Sequence, residues 1–208
     1  MAQEREILTD GLLELGMEPR VETVAAFDLY RQELKKWNKV HNITSITDDK
    51  EIVVKHFLDS LLYLKAIPAG KLTLCDVGSG GGFPGLPIAI IRQDIEATLL
   101  EPSRKRVAFL RRMRRLLSLK NLEIIDARAE EVTDRLFDVV VTRALFTVSD
   151  MIKKAGHLVR KGGILVLNKG PKFEEEVRKL PLSVSAEVMS VTLEKAQLTR
   201  NLITVASP

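Results

Sequence analysis

One cysteine, Cys75, one tryptophan, two tyrosines and three histidines are all that this 208-residue chain holds of those types. A lone cysteine excludes an internal disulfide framework and a multi-cysteine zinc site, so a reducing, cytoplasmic setting is the expectation. No apolar run approaches the ~18 residues that a membrane span needs, and no membrane partner is expected. The opening segment, MAQEREILTDGL, is charged and lacks the apolar centre of a secretory signal. His41, His56 and His157 lie far apart, and no spacing among them suggests a metal site. The rest is ordinary globular usage, 45% apolar and 29% charged. The length suits one large domain, or one domain with a small helical extension.

Acidic residues are missing altogether from Pro102 to Leu122. That stretch holds Arg104, Lys105, Arg106, Arg111, Arg112, Arg114, Arg115 and Lys120. The chain carries +4 overall, so a stretch of +8 leaves −4 on the remainder. A mildly acidic protein with one strongly basic element points to a polyanionic partner, nucleic acid above all. On a helical wheel Phe109, Leu110, Met113, Leu116 and Leu117 share one face. Arg104, Lys105, Arg111, Arg112, Arg114 and Arg115 share the other, and Arg106 falls on the apolar side. The expected helix packs on a sheet and presents a cationic ridge to phosphates.

Apolar spacing divides the chain in two. Residues 1–69 read as a helical extension. Its helices are expected over residues 3–15 with a stop at Gly16, over Val21–Lys39 and over Lys50–Lys65. Residues 70–208 read as a core in which short apolar runs alternate with amphipathic stretches. Strands are expected at Leu72–Val77, Ala97–Glu101, Leu122–Asp126, Phe137–Thr142 and Gly163–Asn168. Helices are expected at Leu86–Arg92, in the basic stretch and at Thr147–Val159. Alternating strands and helices imply a parallel, doubly wound α/β sheet of Rossmann-like type. The tail, from Leu182 to Val205, suits an antiparallel pair at the sheet edge. No exposed apolar helix stripe asks for a partner, so a monomer is expected.

The strongest local signal is Leu72-Thr-Leu-Cys-Asp76-Val-Gly78-Ser-Gly80-Gly81-Gly82-Phe83-Pro84-Gly85. A strand ends in an acid and enters a glycine-rich turn ahead of a helix N-terminus, where free N–H groups and bare backbone admit a ligand. Two ligands compete. Gly80-x-Gly82-x-x-Gly85 matches the dinucleotide fingerprint, with Glu101 near the ribose-acid offset. Asp76-x-Gly78-x-Gly80-x-Gly82 matches the adenosylmethionine turn, with Glu101 closing the next strand as the acid for the ribose hydroxyls. Asp76 and Gly78 stand between the strand and the fingerprint, which favours the methyl donor. Asp126-Ala-Arg128-Ala129-Glu130 follows the third strand, where methyltransferases of this fold contact the adenine. Gly78, Glu101, Ala129 and Arg143 are then expected on one rim, at the carboxyl ends of the strands.

Further segments carry a family likeness: Trp37-Asn-Lys-Val-His-Asn42-Ile-Thr, Lys55-His56-Phe-Leu-Asp59-Ser60-Leu, Ser103-Arg-Lys105, Arg143-Ala144 and Lys169-Gly170. With the glycine turn, these span about residues 37–170 in order. The combination resembles the RsmG (GidB) family of bacterial small-subunit rRNA methyltransferases. The resemblance implies a class I methyltransferase fold and methyl transfer from S-adenosylmethionine to N7 of a guanine in the 530 loop of 16S rRNA. Its partner would be naked 16S rRNA, an assembly intermediate or the small ribosomal subunit. It also implies that Gly78 and Phe83 line the donor site, that Ala129 and Glu130 contact the adenosine, and that Arg143 sits beside the reacting centre. His56 and Asn42 become candidates for RNA contact.

Guanine N7 has an in-plane lone pair that is free at neutral pH, so direct attack needs no general base. Catalysis then rests on alignment, for which Arg143 is the candidate positioning residue. Lys169 ends the last parallel strand within reach of RNA, Cys75 reads as core, and Trp37 as an anchor of the helical cap. The competing readings are a NAD-type oxidoreductase, a non-catalytic rRNA-binding assembly factor and a small-molecule methyltransferase.

Overall fold

The structure, a computed structural model, describes residues 2–143, 146–170, 173–181 and 184–206. Ala144 of the Arg143-Ala144 pair and Leu182, the expected start of the C-terminal pair, lie outside the described residues. Among the described residues no helix is long and apolar enough to cross a membrane.

Helix α1 (Ala2–Glu14) stops at Gly16, which takes φ +79°. Helix α2 (Val21–His41) runs two residues past its expected end. Asn42 closes it in the left-handed conformation at φ 50°, its N–H bonded to the Asn38 carbonyl. An asparagine tolerates that backbone better than most side chains. The expected single helix over Lys50–Lys65 is instead composite. Helix α3 (Asp49–Ile52) opens on Asp48, whose side chain accepts from the Glu51 N–H. The chain then widens into a π turn over Val53–Leu58, tightens into α4 (Asp59–Leu61) and ends in a 3₁₀ turn over Leu62–Lys65. This helix is buried on nearly every side from Ile52 to Tyr63, so its local geometry is set by packing and not by solvent amphipathicity.

Seven strands form one sheet in the order β3-β2-β1-β4-β5-β7-β6. The parallel strands are β1 (Leu72–Val77), β2 (Ile95–Leu100), β3 (Leu122–Ile125), β4 (Phe137–Arg143) and β5 (Val159–Lys169). Strand β7 (Leu198–Ala206) lies antiparallel between β5 and β6 (Ala186–Leu193). The expected edge pair is therefore present, and its second strand joins the sheet first. Strand β5 starts four residues before its expected position, with an irregular register against β4 that accommodates Gly162 and Gly163. Helices α5 (Gly85–Ile91), α6 (Arg104–Leu116), α7 (Val148–Ala155) and α8 (Phe173–Arg178) complete the fold, and α8 has no counterpart among the expected elements.

Period-two burial sorts the strands' side chains onto two faces. Leu74, Val139 and Val141 join Leu12, Phe27, Leu58, Ile88 and Phe109 in one core, shared by the N-terminal helices, α5 and α6. Cys75, Val77 and Val140 join Met151, Ala155 and Leu158 of the α7 side in the other. The strand order reverses at β1/β4. In such sheets the crevice for ligands opens beyond the carboxyl ends of the strands at that point.

Candidate active site and nucleic-acid surface

The turn after β1 divides its glycines between two tasks. Gly78, at φ +71°, lines a cavity of about 270 Å³ together with Val77, Glu101, Pro102, Ala129 and Phe146. Gly82 and Gly85 serve close packing. A Cβ at Gly82 would stand 2.7 Å from the Tyr30 Oη, and one at Gly85 only 2.3 Å from Leu99 and 2.9 Å from Asp76. So the glycine density that suggested a ligand has in part an internal cause. Gly80 donates its N–H to Glu101 (2.8 Å), and the other Glu101 oxygen accepts from Ser103 N–H (2.9 Å). These bonds fix Glu101, 2% exposed, at the head of the cavity.

Asp76 lies beneath the turn, fully buried, and not on the cavity wall. One oxygen accepts from Gly85 N–H at 2.8 Å, while Oδ1 has no partner. Burial pushes its pKa up to about 7, against the pull of that hydrogen bond and of Arg143. Phe83 is likewise displaced from its expected place on the donor wall. At 4% exposed it stacks between Tyr30 (5.4 Å) and His56 (4.2 Å), with the Arg143 guanidinium 4.7 Å from its ring centre. Its apolar ring has more to gain in that aromatic cluster than at an open wall. Ala129 and Glu130 do line the cavity, and Glu130 is paired with Lys154 at 2.8 Å. Arg106, read from the wheel as apolar-side, reaches the cavity and lies 3.8 Å from Glu101.

A second cleft, of about 470 Å³, opens at the ends of β4, β5 and β7. Arg143 is its centre. Its guanidinium donates to the Lys55 carbonyl (2.9 Å) and to His56 Nδ1 (3.0 Å), and lies 3.4 Å from Asp59. The π turn is what presents this carbonyl. The Asp59 N–H reaches back five residues to Val54, which leaves the Lys55 oxygen to face Arg143. An arginine only donates, so His56 Nδ1 accepts and Nε2 carries the proton, which goes to Thr44 Oγ1 at 2.8 Å. Burial and the neighbouring Arg143 charge lower the His56 pKa to about 3, so the ring stays neutral. His56, 5% exposed with both nitrogens engaged, supports Arg143 from within the lining of the cleft.

Asp59, 3% exposed, ties the cleft together. Its Oδ1 receives Arg200 of β7 at 2.6 Å and the Asn168 amide of β5 at 3.1 Å, while Oδ2 faces Arg143. Asp59, Asn168, Arg200 and Thr44 were not singled out as site residues. The one signal for Asp59 and Thr44 was their place in segments that carry the family likeness. Arg200 had none, since the tail matched no motif.

The remaining candidates separate by what holds them. Lys169 donates to the Phe146 carbonyl and pairs with Glu176 (2.9 Å), so its ammonium is already used within the fold. Asn42 is exposed as the helix cap described above. On α6, Arg104, Lys105, Arg111, Arg114 and Arg115 are exposed, whereas Arg112 turns toward α2 and pairs with Glu33. Leu116, expected on the packed face, is 41% exposed, and Val107 takes a buried place instead.

The fold and the site define a methyltransferase of the Rossmann-like, class I type: parallel strands in the order 3-2-1-4-5 with an antiparallel β7 beside the fifth, and a glycine turn opening a cavity at the ends of β1 and β2. Solved structures share the architecture. A methyltransferase from Pyrococcus furiosus matches with a TM-score of 0.59 at 14% identity, covering 72% of this chain and 82% of that one. A Thermus thermophilus 16S rRNA N2 G1207 methyltransferase, solved with AdoMet and guanosine, matches at 0.56 and 21% identity, over 72% of this chain and 43% of that one. A family model described as rRNA small subunit methyltransferase G matches residues 23–203. Proteins named ribosomal RNA small subunit methyltransferase G are similar too. One from Neisseria meningitidis is 37% identical over 89% of each chain, and one from Clostridium botulinum 35% identical over 86% of this chain and 80% of its own. The chain belongs to the family of small-subunit rRNA methyltransferase G, the family that its motifs resemble.

Proposed function

We propose that this protein transfers a methyl group from S-adenosylmethionine to N7 of a guanine in the 530 loop of 16S rRNA. The relatives' names supply the rRNA, and the cleft supplies the chemistry. The observation that carries the reading is that the titratable groups around Arg143 are committed to one another. His56 is neutral with both nitrogens bonded, and Asp59 already faces Arg143, Arg200 and Asn168. A site so arranged suits an acceptor that needs no deprotonation, as guanine N7 does not.

The residues present fit the donor. The 270 Å³ cavity offers an apolar slot between Ala129, Pro102 and Phe146, with the Glu101 carboxylate at its head. Asp76 lies beneath the turn and outside the cavity lining, so a role in steadying the backbone that the donor meets suits it better than direct contact. When bound, S-adenosylmethionine supplies a methyl group activated by its sulfonium. Glu101, oriented by Gly80 and Ser103, is suited to the ribose hydroxyls; Gly78 lets the ligand approach the backbone; Glu130 lies at the adenine end. Arg143, held by Lys55, His56 and Asp59, has the preorganisation needed to orient the guanine or the donor carboxylate. The exposed cations of α6 are suited to rRNA phosphates.

The test is labelled-methyl S-adenosylmethionine offered to small subunits and, separately, to naked 16S rRNA, both from cells lacking the modification, followed by mapping of the base. Label at N7 of one guanine in the 530 loop is expected. Donor binding with label elsewhere would replace the acceptor, and no donor binding at all would revive the non-catalytic assembly factor.

A further inference from the structure

The basic stretch does not act as one even ridge. Arg106 turns to the donor cavity and Arg112 to Glu33, while among the described residues no carboxylate lies within 4.0 Å of Arg111, Arg114, Arg115 or Lys120. These four converge on a single groove of about 950 Å³, which Trp37 also lines. Its one acidic neighbour, Glu123, is already paired with Arg135. Four cations around one concavity repel each other unless an anion sits between them.

The groove is remote from the cleft. Helix α6 starts at the carboxyl edge of the sheet, directly after β2, and its 13 residues descend about 18 Å at ~1.5 Å each. Lys120 precedes β3 and so lies at the opposite, amino edge. The Arg143 cleft is at the carboxyl ends of β4 and β5 and the amino end of the antiparallel β7, about three strand spacings of ~4.8 Å across the sheet. The two concavities are thus on the order of 20 Å apart, a span no single nucleotide bridges.

We propose that this groove is a second RNA-binding site, which grips the phosphodiester backbone of the substrate RNA away from the nucleotide held in the cleft. The proposal rests on the rRNA-methyltransferase reading and defines the substrate further. It is a folded RNA large enough to reach both concavities. A short loop fills the cleft alone. Phosphates are the occupant that the charge selects, and the partly buried Trp37 offers an apolar wall to an adjacent sugar or base.

Trp37 is the chain's only tryptophan, so its fluorescence reports on the groove directly. The test compares the wild type with an Arg111→Ala, Arg115→Ala, Lys120→Ala variant whose fold is checked by circular dichroism. The probes are a 16S rRNA transcript and a short hairpin carrying only the target loop. The transcript is expected to change Trp37 emission and the hairpin is not. In the variant, KM for the transcript should rise tenfold or more, far beyond any change for the hairpin. The slope of log affinity against log salt should fall by about 2–3, as three lost phosphate contacts at ~0.7–0.9 each require. An unchanged slope, or equal losses on transcript and hairpin, overturns the groove. If the wild type methylates neither RNA while the fluorescence and slope effects persist, the methyltransferase reading fails and the groove stands.

Discussion

Replacing Asp76 by asparagine is expected to stabilise the chain at pH 8 and to weaken it at pH 4.5. In the fold the carboxyl holds its proton up to about pH 7, against an ordinary value of 3.8. Above pH 7 the folded protein therefore carries a charge that burial disfavours by about 4 kcal/mol, at ~1.36 kcal/mol per pKa unit. Asparagine removes that penalty and keeps an oxygen for the Gly85 N–H. Its amide nitrogen, however, takes the place of an oxygen that has no partner, which costs about 1–3 kcal/mol. The balance is about 1–3 kcal/mol in favour of the variant above pH 7, or roughly 2–10 °C in Tm for a domain of this size. At pH 4.5 the folded wild-type carboxyl is neutral and most of the charge penalty is gone, so only the amide penalty remains and the difference changes sign. A folded-state pKa raised in this way makes stability fall as pH rises from about 4 to 7. Paired thermal melts across pH 4.5–8.5 measure it. A Tm difference that stays constant with pH, or a variant less stable at pH 8, refutes the reasoning. Donor binding, read as the Tm rise on adding S-adenosylmethionine, is expected to drop in the same variant.

Arg143→Ala should abolish methyl transfer while the chain stays folded and still binds the donor; near-normal turnover would sink the role given to Arg143. Asp59→Asn should loosen Arg143 and Arg200 together and lower kcat by ~10–100-fold, with restoration absent in Arg200→Lys backgrounds, since the carboxylate and not one cation is the hub. His56, whose pKa falls to about 3, stays neutral in the fold while the unfolded chain protonates near 6.5, so it removes stability as pH drops from 6.5 toward 3. That slope opposes the one from Asp76 over nearly the same range. The wild type is therefore expected to show a shallow profile there, and His56→Gln a steeper fall with rising pH, which melts at pH 4.5 and 7 would expose.

The glycine turn and the cavity beside it were readable in the chain because they are local. Asp76 ends the first strand, Gly78 and Gly80 sit on the turn after it, and Glu101 and Ala129 follow the next two strands, positions that period and punctuation reveal. The five parallel strands were legible for the same reason, each an apolar run with a boundary. The second cleft was legible only at Arg143. Asp59, Asn168, Arg143 and Arg200 come from four elements, and only the sheet order, with β7 next to β5, brings them together. Hidden with them was the burial of His56 and Phe83, whose polar and aromatic characters suggest ligand contact until the aromatic cluster with Tyr30 is seen. Lys169 failed as a free cation because Glu176 belongs to a helix that apolar spacing does not announce.

The π turn at Val53–Leu58 holds Arg143 with a main-chain oxygen. A contact of that kind is blind to residue identity at position 55, so substitutions there leave it intact. It is sensitive to chain length instead. Deleting one residue between 53 and 58 would let the turn close into ordinary α-helix, the flanking segments staying nearly in phase while the Lys55 oxygen is drawn back into the helix and away from Arg143. This stretch should therefore tolerate changes of letter and resist changes of count.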